Sequence, residues 1–411
     1  MNSKTLKAAD SLSYKTLLIL GVMGLIIGLL VGTVDAIFGR VLLFLSDFRT
    51  AHVGILIPFL ALVGLLIVFL YQKFGGESSK GMSLIFEVGH GDEEVIPKRL
   101  VPLVMVTTWL THLFGGSAGR EGVAVQLGAT ISHWFSRFFT FKNNSRIFLV
   151  TGMAAGFAGL FQTPMAAVLF ALEVLLLGNL ALDALVPTII AAFTASTISH
   201  TLGLEKFSHV LSTSLNIDWV AFFKLIVLGL ILGLVGNLFA YSLAITKSKM
   251  AELIPNAYYR ILGFGLVLSL FFLILHYGRY SGLGTNLISA SFGGQKIYAY
   301  DWFLKLLLTV ITLAAGFQGG EVTPLFSVGA SLGVVLAGFF HLPVELVAAA
   351  GYISVFGSAT NTFLAPILIG AEVFGYANLP AFFLVSSFAY IVNRRQSIYG
   401  LQKMVNSQSK F

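Results

Sequence analysis

The stretch Gly115-Gly116-Ser117-Ala118-Gly119-Arg120-Glu121-Gly122-Val123 sets glycines, an arginine and a glutamate inside sequence apolar enough for lipid. An ionisable group at membrane depth costs about 2.5–3.5 kcal/mol even on insertion-based scales, so Arg120 and Glu121 are functional candidates on cost alone. A glycine-rich turn opening a fresh apolar run predicts a helix that starts in mid-membrane, its free N–H groups and positive end facing an anion. Glu121 stands on that turn and is itself a resident anion. A free halide would compete for the same place, and protonation would discharge the carboxyl and release it. One side chain could thus be gate and proton carrier together. The plainer alternative is a buried Arg120–Glu121 pair. It is disfavoured because adjacent helix residues point apart, and Arg120 is expected to bond nearby carbonyls.

A second turn, Gly316-Phe317-Gln318-Gly319-Gly320-Glu321-Val322-Thr323-Pro324, repeats the arrangement with Glu321 at the matching place. Two carboxyls converging on one site would hardly both ionise. A protonated one is a hydrogen-bond donor suited to a small hard anion; the alternative is a helix N-terminal carboxylate with no transport role. Glu173 and Glu372 occupy equivalent places late in apolar segments, which favours a shared scaffold role. His112, His133, His200 and His276 show no metal-ligand spacing. Gly115 to Gly119 also satisfies the Gly-x-Ser-x-Gly pattern of serine hydrolases. That pattern is short and common in glycine-rich sequence, and the second turn keeps its glycines without a serine.

The elements holding these turns are membrane helices. Hydrophobic residues make up 57% of the 411 and charged residues 10%, against roughly 25% charged in an average soluble domain. The chain reads as an all-α polytopic membrane protein. Its net charge of +7 is assigned to cytoplasmic loops and tails, not to nucleic acid. Lys4 and Lys7, with Arg394, Arg395 and Lys403, place both termini in the cytoplasm. The absence of cysteine excludes thiol catalysis and disulfides, and no cofactor or metal is expected.

The run Tyr14–Leu45 exceeds one perpendicular crossing and predicts a tilted helix, with Gly24, Gly28 and Gly32 forming a smooth stripe for a close helix contact. Val53–Tyr71 predicts a second span, ended by a polar hinge over Gln72–Lys80. Gly81–Val88 is too short to cross and predicts a half-helix. Gly278–Gln295, rich in Gly and Ser, reads as a loop. The second half repeats the first. Gly24 and Gly28 match Gly229 and Gly233 at an offset of 205 residues, Glu121 matches Glu321 at 200, and Glu173 matches Glu372 at 199. Residues 1–13 then form an N-terminal tail, 14–205 and 217–393 two transmembrane repeats, and 394–411 a C-terminal segment with no appended domain.

At these residues the chain resembles the CLC family of anion channels and proton-coupled transporters, over nearly the whole membrane part. Gly119-Arg120-Glu121-Gly122 is similar to that family's gating-glutamate motif. Gly152 to Phe157, Pro164 and Leu172-Glu173 resemble the helix pair that follows it, and Gly319 to Pro324 the second filter turn. Tyr399 matches the tyrosine closing the inner side of the central ion site. The resemblance implies a homodimer, each subunit an inverted repeat with its own pore and with re-entrant or broken helices meeting at the membrane centre.

Three departures carry the substrate information. Met82 stands where chloride-selective members place a serine, Glu321 where they have a small or apolar residue, and Val174 where exchangers carry an inner proton-transfer glutamate. Together they resemble the bacterial fluoride-exporting branch. The expectation is a fluoride/proton antiporter of the cell (inner) membrane, with a chloride/proton exchanger or passive halide channel as alternative and an intramembrane serine hydrolase as a distant one. Glu121 is expected to gate and carry the proton. Met82, Ser83, Gly119, Gly122, Glu321, Val322, Thr323 and Tyr399 are expected to line the ion path. The branch's aromatic pair falls, in this alignment, at Ile85 and Val88, with Phe86 beside them.

Overall fold

The computed structural model describes residues 13–212, 214–392 and 396–404. Lys4, Lys7, Arg394 and Arg395, on which the orientation of the termini rests, lie outside them. The first half runs α1 (Tyr14–Ala51), α2 (Val53–Leu56), α3 (Leu60–Leu70), α4 (Met82–His90), α5 (Leu100–Leu113), α6 (Glu121–Ser136), α7 (Asn144–Phe161), α8 (Pro164–Glu173) and α9 (Leu185–Thr201). The second runs α10 (Trp219–Leu253), α11 (Ala257–Ile274), α12 (Thr285–Phe292), α13 (Asp301–Ala315), α14 (Val322–Phe340), α15 (Val344–Thr360), α16 (Leu364–Phe374) and α17 (Leu379–Val392). Apart from the single turn α2, the two orders correspond helix for helix.

Among the described residues, six helical stretches are long and apolar enough to cross a bilayer. The 38 residues of α1 span about 57 Å at about 1.5 Å per residue. That is nearly twice the hydrocarbon thickness of about 30 Å, so α1 must tilt. Its N-cap Ser13 accepts from Thr16 N–H, and Asp218 caps the matching α10 through Ala221 N–H. Leu18, Val22, Ile37 and Phe44 of α1 are exposed and form a lipid-facing side. At the centre, α7 is buried without a break from Ile147 to Phe161, and α15 from Leu346 to Thr360, as helices apolar all round must be.

The glycine stripe packs as its spacing predicts. A Cβ built on Gly24, Gly28 or Gly32 would sit 2.7, 2.7 or 2.6 Å from the carbonyls of Pro187, Ala191 and Ala195 on α9. In the second half Gly229 and Gly233 meet Val385 and Ala389 of α17 at 2.6 Å. Gly32→Leu is therefore expected to cost about 1–3 kcal/mol or more through overpacking. It should lower the thermal midpoint in detergent, while Gly263→Leu, where a Cβ meets nothing within 4 Å, should not. Equal midpoints would mean that α1 and α9 can separate freely.

Val53–Tyr71 lies within one of the six spans, as expected, with Pro58 in a 3-10 turn, Ile57–Phe59. It passes through a π-turn, Tyr71–Gly75, and a second 3-10 turn, Gly76–Lys80, before α4. The expected loop Gly278–Gln295 contains α12. Its glycines and serines hide an eight-residue helix that buries Leu287 and Ile288 and takes the place that α4 has in the first half.

Candidate functional site

The two glycine turns meet. Gly119 N–H donates to Gly320 O at 2.5 Å and Gly320 N–H to Gly119 O at 2.8 Å, a reciprocal antiparallel bridge. A Cβ on Gly119 would lie 2.9 Å from Pro324 and 3.0 Å from Gly320 O, so only glycine permits this approach. The bridge sets the N-termini of α6 and α14 side by side. It also occupies the Gly119 N–H, so Gly119 shapes the turn and has no main-chain donor left for an ion.

Glu121 is the first residue of α6 and 1% exposed. Its Oε2 accepts from Thr323 N–H at 3.1 Å, Thr323 Oγ1–H at 2.5 Å and Arg120 N–H at 3.3 Å. The carboxylate of one repeat thus fills the anion site at the helix N-terminus of the other, where N–H groups lack intrahelical acceptors and the dipole is positive. Arg120 departs from expectation. Its Nε lies 3.8 Å from Glu121 Oε1, and its buried Nε and Nη1 have no hydrogen-bond partner. Arg120 is the N-cap of α6 with non-helical backbone, so the rule that adjacent residues on a helix point apart does not hold for it.

Two cavities flank this turn. The smaller one, about 50 Å³, is lined by Arg120, Glu121, Phe161, Glu205, Thr323 and Tyr352 among others. The larger one, about 220 Å³, is lined by Met82, Ser83, Phe86, Gly122, Glu321 and Tyr399, with Lys80, Gln126 and Lys247. Adjacent residues Glu121 and Gly122 therefore face different cavities. A Cβ on Gly122 would be 3.6 Å from Glu321 Oε2 and 3.8 Å from Met82 Cε, so these two side chains converge on the turn. Val322 begins α14 and is buried; it lines neither cavity.

Tyr399 is fixed by its flanks. Ile398 N–H donates to Ala359 O at 2.9 Å, and Gln402 Nε2 to Val174 O at 2.8 Å and Thr360 O at 3.1 Å. A short parallel ladder pairs Leu176 with Lys403 and Leu177 with Met404, and Lys403 holds the Asp92 carboxyl below the usual carboxylate range. The Tyr399 ring stacks on Phe86 at 5.2 Å, and its buried hydroxyl has no partner.

Ile85 and Val88 do not line the cavity; both are buried in the apolar core. At about 100° per residue, Phe86 lies within about 40° of Met82 on α4, while Ile85 and Val88 lie about 60° and 120° round the other way. The aromatic wall is formed by Phe86 and Tyr399, with Phe170 edge-on to Tyr399 at 6.3 Å.

Ser117 is fully buried, and its Oγ contacts Thr309 Oγ1 at 2.7 Å and Lys305 Nζ at 2.8 Å. Lys305 also donates to Tyr280 O and Gly282 O at 3.2 and 2.7 Å. Ser117 lines neither cavity, and its hydroxyl is taken up by Thr309 and Lys305, so this is a strut behind the turn. His112, which sequence spacing leaves without a role, joins it. Its ring lies 2.8 Å from Thr108 O and 3.0 Å from Ala118 O. Among the described residues no three His, Cys, Asp or Glu side chains gather as a metal site.

Glu173 and Glu372 cap each other's half. Glu173 accepts from Phe363, Leu364 and Ala365 N–H at 3.1, 3.1 and 2.9 Å, at the start of α16. Glu372 accepts from Met165 and Ala166 N–H at 3.2 and 2.9 Å, at the start of α8. Their scaffold role is visible in these bonds.

Known proteins share this architecture. The chain is similar to the "Chloride/fluoride channel protein" of Pseudomonas syringae pv. tomato, 34% identical over 390 residues, 93% of this chain and 86% of that one. It is 25% identical to the "Voltage-gated ClC-type chloride channel ClcB" of Salmonella typhimurium over 76% of each chain. The crystal structure of a CLC-type fluoride/proton antiporter superposes with a TM-score of 0.94 at 56% identity, covering 96% of this chain and 100% of that one. A slow cyanobacterial Cl−/H+ antiporter shares the fold with a TM-score of 0.79 at 21% identity, over 93% of this chain and 95% of that one. The family model described as "Voltage gated chloride channel" matches residues 63–394, and the chain belongs to that family, the CLC channels and transporters.

Proposed function

We propose that the chain is a fluoride/proton antiporter that exports cytoplasmic fluoride against inward proton movement. The carrying observation is that Met82, Glu321 and the unpartnered hydroxyl of Tyr399 line one cavity ending at the Glu121 turn. The likeness to a fluoride/proton antiporter at 56% identity supports the same reading.

Glu121 is the gate and proton carrier. Ionised, it occupies the Thr323 donors and closes the turn between the two cavities. Protonated, it loses its charge-assisted bonds, leaves, and frees those donors for an anion. Fluoride is small and strongly hydrated, so giving up water requires strong donors. The Tyr399 hydroxyl is one, and a protonated Glu321 is a second. Met82 presents a thioether where a hydroxyl would serve a larger halide. Ser83 and Phe86 complete the wall. The molecule works as a homodimer with one pore per subunit in the cell membrane, its larger cavity and both termini facing the cytoplasm.

Reconstituted liposomes test the reading. Fluoride efflux should drive proton uptake, and chloride flux should be at least about tenfold slower, a difference of about 1.4 kcal/mol in the limiting step. Equal chloride and fluoride fluxes would overturn the substrate, and fluoride flux without proton movement would overturn the exchange.

A further inference from the structure

A cavity of about 370 Å³, apart from the two flanking Glu121, opens where the last turns of α1 meet the segment before α12. Two lining residues carry buried donors with no partner, Ser46 Oγ and Arg49 Nε, in residues 9% and 7% exposed. Three positions apart on α1, they share a helix face. Nη1 of Arg49 donates to His112 O at 2.8 Å, which anchors the guanidinium while Nε stays unmatched. Buried donors are almost always paired, so this pair marks a place for an acceptor. Thr285 and Asn286 line the same cavity. They are the first two residues of α12, and their N–H groups have no intrahelical acceptor and sit at the positive helix end, while Leu287 N–H already donates to Gly284 O.

The other charges there narrow the ligand. Arg279 is engaged by Asp301 at 2.6 Å, and His276 by the Tyr300 hydroxyl at 2.9 Å. Asp47 is exposed at the mouth and suits a neighbouring ammonium. Tyr277 lines the cavity and is exposed, as tyrosines are at headgroup depth.

We propose that this cavity binds a phosphate-type oxyanion on Arg49 Nε, Ser46 Oγ and the N-terminus of α12, supplied by a phospholipid headgroup or as free phosphate. Arg49 is joined through His112 to Ala118 O, three residues before Glu121, so the occupant bears on the filter turn. The site stands independently of which ion is transported.

Purified full-length protein in detergent is titrated with inorganic phosphate at ionic strength held constant with chloride, following the thermal midpoint. In parallel, native mass spectrometry identifies phospholipid retained through detergent exchange. Phosphate should stabilise the wild type, and Arg49→Met should need at least about tenfold more of it. Phospholipid kept by the wild type and lost from Arg49→Met assigns the site to a headgroup; phosphate saturation without retained lipid assigns it to the free anion. Should Arg49→Met not fold, Ser46→Ala decides, since it removes one unpartnered hydroxyl and should weaken binding about threefold. Equal phosphate response and equal lipid retention in the wild type and the folded variants overturn the proposal.

Discussion

Glu121→Gln should abolish fluoride-driven proton uptake while leaving the protein folded. The amide has the size of the carboxylate, and its one oxygen can keep accepting from Thr323 N–H, Thr323 Oγ1–H and Arg120 N–H, all of which converge on Oε2 in the native protein. What it cannot do is take up a proton, lose its charge and leave. Proton uptake should fall at least about tenfold, to background, corresponding to about 1.4 kcal/mol or more in the coupled step. Fluoride flux should fall with it if the amide stays docked. Glu121→Ala separates the two roles, since it empties the place between the two cavities and leaves the Thr323 donors free. That variant should pass fluoride without protons. Paired pH and fluoride electrodes on the same liposomes give the ratio directly. A normal exchange ratio in Glu121→Gln would remove Glu121 from the proton path.

The legible part of the site was legible through cost. Glu121 and Glu321 stand out because lipid tolerates such residues only for a reason, and their offset of 200 residues pairs them. The glycine stripes were legible because a four-residue repeat of bare backbone has one use in a helix pair. What the residues could not disclose were contacts between halves. Equivalent positions for Glu173 and Glu372 suggested a scaffold, yet nothing local says that each caps the other repeat. Helix periodicity, applied to Met82–His90, would have placed Phe86 beside Met82 and sent Ile85 and Val88 into the core. The resemblance to the fluoride branch points instead to Ile85 and Val88. α12 escaped notice because its buried stripe is only eight residues long, and Arg120 because its backbone leaves the helix at the position that matters.

Glu173→Ala should produce the largest loss of stability among these carboxylates. The substitution strips the acceptor from three N–H groups at the start of α16. An unsatisfied buried N–H costs about 1–3 kcal/mol, so the sum is about 3 kcal/mol or more. Glu372→Ala exposes only two N–H groups at α8 and should cost less. Glu173→Gln is informative in a different way. Its oxygen can serve either Ala365 or the Phe363 and Leu364 pair, because the native carboxylate divides them between Oε1 and Oε2. An intermediate loss is expected. The two carboxylates cap different helices with no shared donor, so their effects should add within about 0.5 kcal/mol in the double variant if the sites are uncoupled. Denaturation in detergent measures the losses, and transport by the surviving protein measures function. A Glu173→Gln protein of native stability that no longer moves protons would place Glu173 on the proton path and not in the scaffold.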